Sequence, residues 1–244
     1  MLVAHTAIAQ DVRVVSPAAK PRLLRELVAG LDPTTHKTLV FVRRRQLCDE
    51  LTEEYSTAGL PYQVDGLHGD REQRDRAAAM KGFKEGRTKL LFATDVAARG
   101  LDVSDITLVV NFDFPVQRGA GGIEDYVHRI GRTARGAGGR GASITFFTEE
   151  HDGDSARGLL KLLAGAGQPV PVALAALVAS QGDGGEVDAA TVKREAKKEA
   201  RKKSKLSRPG DWGCGKCGAR VFAKHQACFK CKTPKPISGP ITLD

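Results

Sequence analysis

Arg129, Arg132 and Arg135 follow one another at three-residue intervals in the string Tyr126-Val127-His128-Arg129-Ile130-Gly131-Arg132-Thr133-Ala134-Arg135-Gly136. On a helix the three guanidiniums would share one face. Like charges so placed repel one another, and a bound anion relieves the repulsion. Phosphate suits best, because the planar guanidinium fork matches its oxygens. A solvated basic helix is the plain alternative, and spacing alone does not separate the two. A second set of chemistry-bearing residues is Cys214-x-x-Cys217 and Cys228-x-x-Cys231, with ten residues between the pairs. Each pair fits a tight knuckle, and four thiolates make a closed tetrahedral zinc site. Two disulfides are the alternative, disfavoured in a reducing compartment. A unit of roughly twenty-five residues cannot bury a sufficient core, so metal binding would supply most of its folding energy. Cys48, alone on a predicted helix, reads as a buried and inert thiol.

The elements that must position these groups alternate between helical and extended patterns. Lys20 to Leu31 reads as an amphipathic helix with Leu23, Leu24, Leu27, Val28 and Leu31 on one side. Thr38 to Val42 is a short apolar run of the buried parallel-strand kind. Arg45 to Ala58 reads as helix and stops at Gly59 and Pro61. Tyr62–Leu67, Lys89–Ala93, Ile106–Asn111 and Ala142–Phe147 read as strands, Arg71–Phe83 as a helix, and the arginine-bearing helix precedes the last strand. Strands alternating with helices imply a parallel sheet, whose ligands bind at the carboxyl ends of its strands. His68, Thr94 and Asp102 closely follow predicted strands.

The pattern dissolves after Gln168. Pro169 to Ala179 is small and apolar, a short helix leaning on the domain, and Gln181 to Gly185 is linker-like. Lys193 to Lys205 holds eight basic and two acidic residues, so it is either a solvated linker with local helix or a patch for nuclear targeting or RNA phosphate. The expected division is 1–168 for the α/β domain, 169–208 for the basic linker, 209–236 for the cysteine unit and 237–244 for a tail. A net charge of +9 over 244 residues points to a polyanionic partner, nucleic acid first. Apolar content of 41% suffices for a core. No run approaches the roughly 18 apolar residues that cross a bilayer, and Met1 to Gln10 lacks the marks of a secretory signal. The expected location is intracellular; the basic run suits nucleus or nucleolus, and the cytoplasm is also compatible.

Three segments together carry a family resemblance: the arginine string, Leu90-Leu91-Phe92-Ala93-Thr94-Asp95-Val96-Ala97-Ala98-Arg99-Gly100-Leu101-Asp102, and His68-Gly69-Asp70 followed by Gln73, Arg76, Phe83 and Gly86. In this order and spacing they resemble the second RecA-like domain of DEAD-box RNA helicases, over roughly residues 8–165. The resemblance implies a RecA-like parallel sheet flanked by helices, with ATP and RNA held across a cleft shared with a first RecA-like domain. It makes Arg132 and Arg135 the arginine fingers toward the γ-phosphate, and gives Asp102, beside Gly100, the nucleotide ribose. His128 and Arg129 become the residues coupling nucleotide state to domain closure, and Gly69, Arg76 and Thr94 the holders of RNA phosphates. Ala134 stands where relatives often have glycine, and Val116 to Gly122 form a longer loop than usual. The sequence contains no G-x-x-x-x-G-K-[ST], no Asp-Glu-Ala-Asp and no Ser-Ala-Thr, so the family's groups for Mg²⁺ and for the attacking water are expected from a first domain in cis or in trans. Hydrolysis by this chain alone is not expected, and a non-enzymatic RNA-binding adaptor is the alternative.

Trp212, two residues before Cys214, makes the cysteine unit resemble a RanBP2-type zinc finger. In the RNA-binding branch of that family an aromatic stacks between bases, which gives Phe222 that role, and Asp211 matches the aspartate before the tryptophan. Lys224-His225 replaces an arginine pair and Val221 an asparagine, so guanine readout is weakened while single-stranded RNA binding is kept. Gly218-Ala219 replaces the Thr-Phe of the ubiquitin-binding branch, which argues against ubiquitin. A purely structural zinc knuckle remains open.

Overall fold

In a computed structural model of the chain, the described residues are 7–32, 34–98, 102–115, 120–135 and 141–181, with the backbone of 212–213 and 220–221. The strongest fold determinant is the set of short apolar runs. Strands β2 (Thr38–Phe41), β4 (Thr88–Ala93) and β5 (Leu108–Asn111) bury both faces, which is why they read as unbroken hydrophobic stretches. With β1 (Ile8–Val14), β3 (Gln63–Leu67) and β6 (Gly141–Phe147) they form one six-stranded parallel sheet in the order β1-β6-β5-β2-β4-β3.

Helices cover the two faces. From α1 (Lys20–Ala29) and α2 (Arg45–Ser56), Leu24, Val28, Cys48, Leu51 and Tyr55 pack on Val40, Phe92, Val110 and Phe146. On the other face Phe83 of α3 (Gln73–Lys84) and Ala97 and Ala98 of the short α4 (Asp95–Ala98) pack on Leu39, Phe41, Leu91 and Val109. Helix α5 (Ala120–Ile130) contributes Tyr126, stacked on Phe114 at 5.6 Å between ring centroids. After β6 come α6 (Glu149–Asp152), α7 (Ala156–Gly165) and α8 (Val172–Ser180). Leu159, Leu160, Leu162 and Leu163 of α7 are buried, as are Leu174, Ala175, Leu177 and Val178 of α8, which packs against α7. The first compact unit runs past Gln168 to Gly184. In the second, residues 185–244, strands β7 (Trp212–Gly213) and β8 (Arg220–Val221) pair antiparallel, with Trp212 opposite Val221.

Two readings need correction. The arginine-bearing helix was expected to carry Arg129, Arg132 and Arg135 on one face, but α5 ends at Ile130. Gly131 follows, the Arg132 and Thr133 N–H groups turn back to the Arg129 and Ile130 carbonyls, and Ala134 reverses the chain at φ 62°. Strand β1 was not foreseen. It lies on the sheet edge and alternates, with Ile8, Gln10 and Val12 inward and Ala9 and Asp11 outward.

Candidate functional site

Strand β2 lies between β4 and β5, and the segments that leave those two strands meet over its end. Asp95 opens α4, directly after β4, and Arg129 comes from α5, which follows β5. Arg129 is 2% exposed. Its Nε and Nη2 donate to the two carboxylate oxygens of Asp95 at 2.6 and 2.7 Å. Nη1 donates to the Asn111 side-chain oxygen at 3.2 Å and to the Asp113 carbonyl at 2.6 Å. The guanidinium lies over the Phe41 ring, 4.9 Å from its centre. Asn111 is oriented in turn by donating to Thr145 Oγ1 at 3.0 Å. Four of the five N–H groups of Arg129 are thus used inside the domain. Arg129 does not stand with Arg132 and Arg135 toward an anion; it ties the exits of β4 and β5 together.

Arg132 and Arg135 lie beyond the helix end. Arg132 is half-buried and lines a cleft of about 240 Å³ with Phe41, Asp95, Ala98, Asp125, His128 and Arg129. Burial, and then the charge of Arg135, lower the pKa of Arg132. Arg135 is exposed, and its Nε donates to the Gly131 carbonyl at 2.7 Å. A partly dehydrated cation beside a second cation favours an anion in the cleft. His128 is exposed on the cleft wall. Asp102 is exposed between α4 and β5 and is not among the cleft-lining residues; Gly100 lies outside the described residues.

A second group gathers where β3 and β4 end. His68, buried, shares a 2.9 Å hydrogen bond between its Nε2 and Asp49 Oδ1, and Gly69 beside it is exposed. A Cβ added at Gly69 would meet nothing within 4 Å, so this backbone is open to approach. The Thr94 N–H donates to the Leu67 carbonyl at 3.1 Å, joining the end of β4 to that of β3. Arg76, on the helix that follows β3, is half-exposed and donates to Gln73 Oε1 at 3.3 Å. Asp70 pairs with Arg45 at the start of α2.

Sequence reasoning passed over Asp95, Asn111 and Asp113 as holders of Arg129. One signal was present: Asn111 is a polar residue closing the apolar run Leu108-Val109-Val110. Ala134, standing where relatives often have glycine, adopts the left-handed conformation that glycine takes most easily. Cys214, Cys217, Cys228 and Cys231, with Asp211, Phe222, Lys224 and His225, lie outside the described residues. Among the described residues no cluster of three or more metal-capable side chains occurs, and no helix is long and apolar enough to cross a membrane.

Residues 19–137 match the family model described as the helicase conserved C-terminal domain. The chain is 43% identical over 184 residues to the "DEAD-box ATP-dependent RNA helicase 40" of Oryza sativa subsp. japonica, covering 75% of this chain and 22% of that protein. Among solved structures it is similar to the C-terminal domain of the DEAD-box protein Dbp5, with a TM-score of 0.54 and 31% identity over 65% of this chain and 85% of that one. It is also similar to S. cerevisiae Dbp5 bound to RNA and ADP BeF3, with a TM-score of 0.56 and 30% identity over 68% and 41% of the two chains. The chain spans less than a third of the length of the curated relatives it matches.

Proposed function

We propose that this chain, which belongs to the DEAD-box ATP-dependent RNA helicases and carries their C-terminal helicase domain, supplies the arginine half of an ATP-hydrolysing site that is completed only by a first RecA-like domain. The observation that carries the reading is half-buried Arg132, lining a cleft beside Asp95 and His128 with the positive charge of Arg135 close by. Guanidiniums so held stabilise the charge that spreads over a transferred phosphoryl group. Asp102 would accept ribose hydroxyls. His128 would report nucleotide state to the domain interface, with Arg129 acting on it by fixing the α5 end rather than by touching ligand. Mg²⁺ would be held by the first domain and would neutralise the phosphates.

RNA is the proposed second ligand. The exposed Gly69 backbone and half-exposed Arg76, with Thr94 at the end of β4, are groups suited to phosphate oxygens, a grip that does not read sequence. For the C-terminal unit we propose a RanBP2-type zinc finger that binds single-stranded RNA through Phe222 and Asp211, helped by Lys224 and His225. The support is the four-thiolate donor set and the β7–β8 pairing, which sets Gly213 opposite Arg220 around the sequence that holds Cys214 and Cys217. Zinc there would supply folding energy.

The test is ATP turnover by the chain with and without RNA, alone and joined to a generic first RecA-like domain. RNA-stimulated turnover in the joined protein only is the expected result. Absence of turnover in the joined protein, with RNA still bound, would replace the helicase reading with that of a non-enzymatic RNA-binding adaptor. Zinc content measured on the purified chain, near one equivalent and lost on Cys214→Ser, checks the finger separately.

A further inference from the structure

The turn that carries Arg132 and Arg135 is held from inside by one side chain. Thr133 is 2% exposed, and its hydroxyl donates a 2.6 Å hydrogen bond to the Ile106 carbonyl, just ahead of β5. The same side chain rests on the backbone of Gly141, the first residue of β6. A Cβ at Gly141 would stand 2.1 Å from Thr133 Oγ1 and 2.6 Å from its Cγ2, closer than atoms can approach, so glycine there is what admits the threonine. Gly141 is itself fixed, since its N–H donates to the Ala7 carbonyl at 3.3 Å and it sits in register with Ile8 of β1. The segment between Ile130 and Arg135 is therefore tied at its middle to two adjacent strands. Around that tie the turn is closed by the Arg132 and Thr133 N–H groups donating to the Arg129 and Ile130 carbonyls. Gly131 follows the helix end, Ala134 is left-handed, and Arg135 folds back onto the Gly131 carbonyl.

We propose that Thr133 is the positioning residue for the arginine pair, its buried hydroxyl fixing the turn so that Arg132 is held along the cleft and Arg135 beside it. The inference rests on the reading of Arg132 and Arg135 as phosphate ligands. Two like charges repel each other, so the fold must supply what holds them side by side. The threonine hydroxyl does this without touching ligand. Its bond to Ile106 requires a donor, which serine keeps and valine, of the same shape, lacks.

The experiment uses the chain joined to a first RecA-like domain for kcat and KM with ATP and RNA, and the 244-residue chain for arginine Nε–Hε NMR signals. Thr133→Val is expected to lower kcat about 10²-fold with KM within about threefold, since misplacement by an ångström costs about that much. Thr133→Ser is expected to restore kcat to within about threefold of the parent. The Arg135 Nε–Hε signal should shift or broaden in the valine variant and stay in place in the serine variant. Thr133→Ala, which drops the hydroxyl without adding bulk, substitutes if the valine variant does not fold. Full kcat in Thr133→Val, equal loss in valine and serine variants, or an unmoved Arg135 signal overturns the proposal. If the unsubstituted joined protein shows no turnover, the phosphate reading fails and the Nε–Hε comparison alone decides the positioning role.

Discussion

Arg129 and Arg132 are the same residue type three positions apart, and the fold uses them in opposite ways. Arg129 is enclosed, with a bidentate carboxylate, an amide oxygen, a carbonyl and an aromatic face around it. Arg132 lies on a cleft wall, past the end of the helix, beside another positive charge. The first is a charge whose needs are met by the protein. The second is a half-buried charge that lines a cleft. What separates them is the helix end between them, where α5 stops at Ile130 and Gly131 begins the turn.

The comparison is tested most severely by removing each arginine. Arg132→Ala should leave the folded domain intact and lower RNA-stimulated ATP turnover of the joined protein by about 10³-fold or more, as loss of an arginine finger does. Normal turnover with a normal melting curve would end the finger assignment. Arg129→Ala should instead lower stability by about 3 kcal/mol, read from urea midpoints. The value falls at the low end for a broken buried pair because Asp95 is 36% exposed and water can reach its released carboxylate. Should Arg129→Ala unfold at the parent's urea concentration, the socket would not be the structural tie its geometry describes.

These two roles were legible to different degrees. The short apolar runs of β2, β4 and β5 announce a parallel sheet, because strands buried on both faces must be apolar throughout. Lys20–Ala29 and Arg45–Ser56 were equally plain from their helical periodicity. The fate of Arg129 was not. Its partners are Asp95 after β4 and Asn111 and Asp113 at the end of β5, two strand exits far from each other in sequence, and no local spacing encodes such a meeting. A three-residue interval permits a shared helix face but does not require the helix to continue, and Gly131 was the warning against it. Edge strand β1 stayed hidden because Gln10, Asp11 and Arg13 make it polar by composition, although its burial alternates in the manner of a half-covered strand. Helix α7 was passed over although its pattern is amphipathic, with Leu159, Leu160, Leu162 and Leu163 buried and Lys161 exposed.

Cys48 adds a third case, a buried group that the fold keeps neutral. Its side chain is fully enclosed in α2, and the thiol lies 3.5 Å from the Phe92 carbonyl, an acceptor that suits S–H and not a thiolate. Burial pushes its pKa from 9.0 up to about 11. The neutral form is thus the one the fold stabilises, so its contribution is complete below pH 9.0 and declines as pH rises toward 11. Across that window the domain should lose about 2–3 kcal/mol from this group, and Cys48→Ala should flatten the decline. Urea unfolding of both proteins at each pH measures it, and identical slopes would show that the thiol ionises without penalty.

The smallest expected effect concerns the residue that reverses the chain between Arg132 and Arg135. Ala134 holds φ 62°, where a Cβ crowds the following carbonyl at a cost of about 1–2 kcal/mol. Ala134→Gly removes that crowding and adds freedom to the unfolded chain, so the net gain should be about 0.5–1 kcal/mol. Stability and turnover need not move together here. A glycine that relieves strain also widens the range of directions open to Arg135, so a stabilised variant with lower kcat would mean that the strained alanine helps hold the arginine pair in place. A stabilised variant with unchanged kcat would leave that task to the hydroxyl of Thr133. A variant no more stable than the parent would mean that the left-handed turn carries no strain at Ala134.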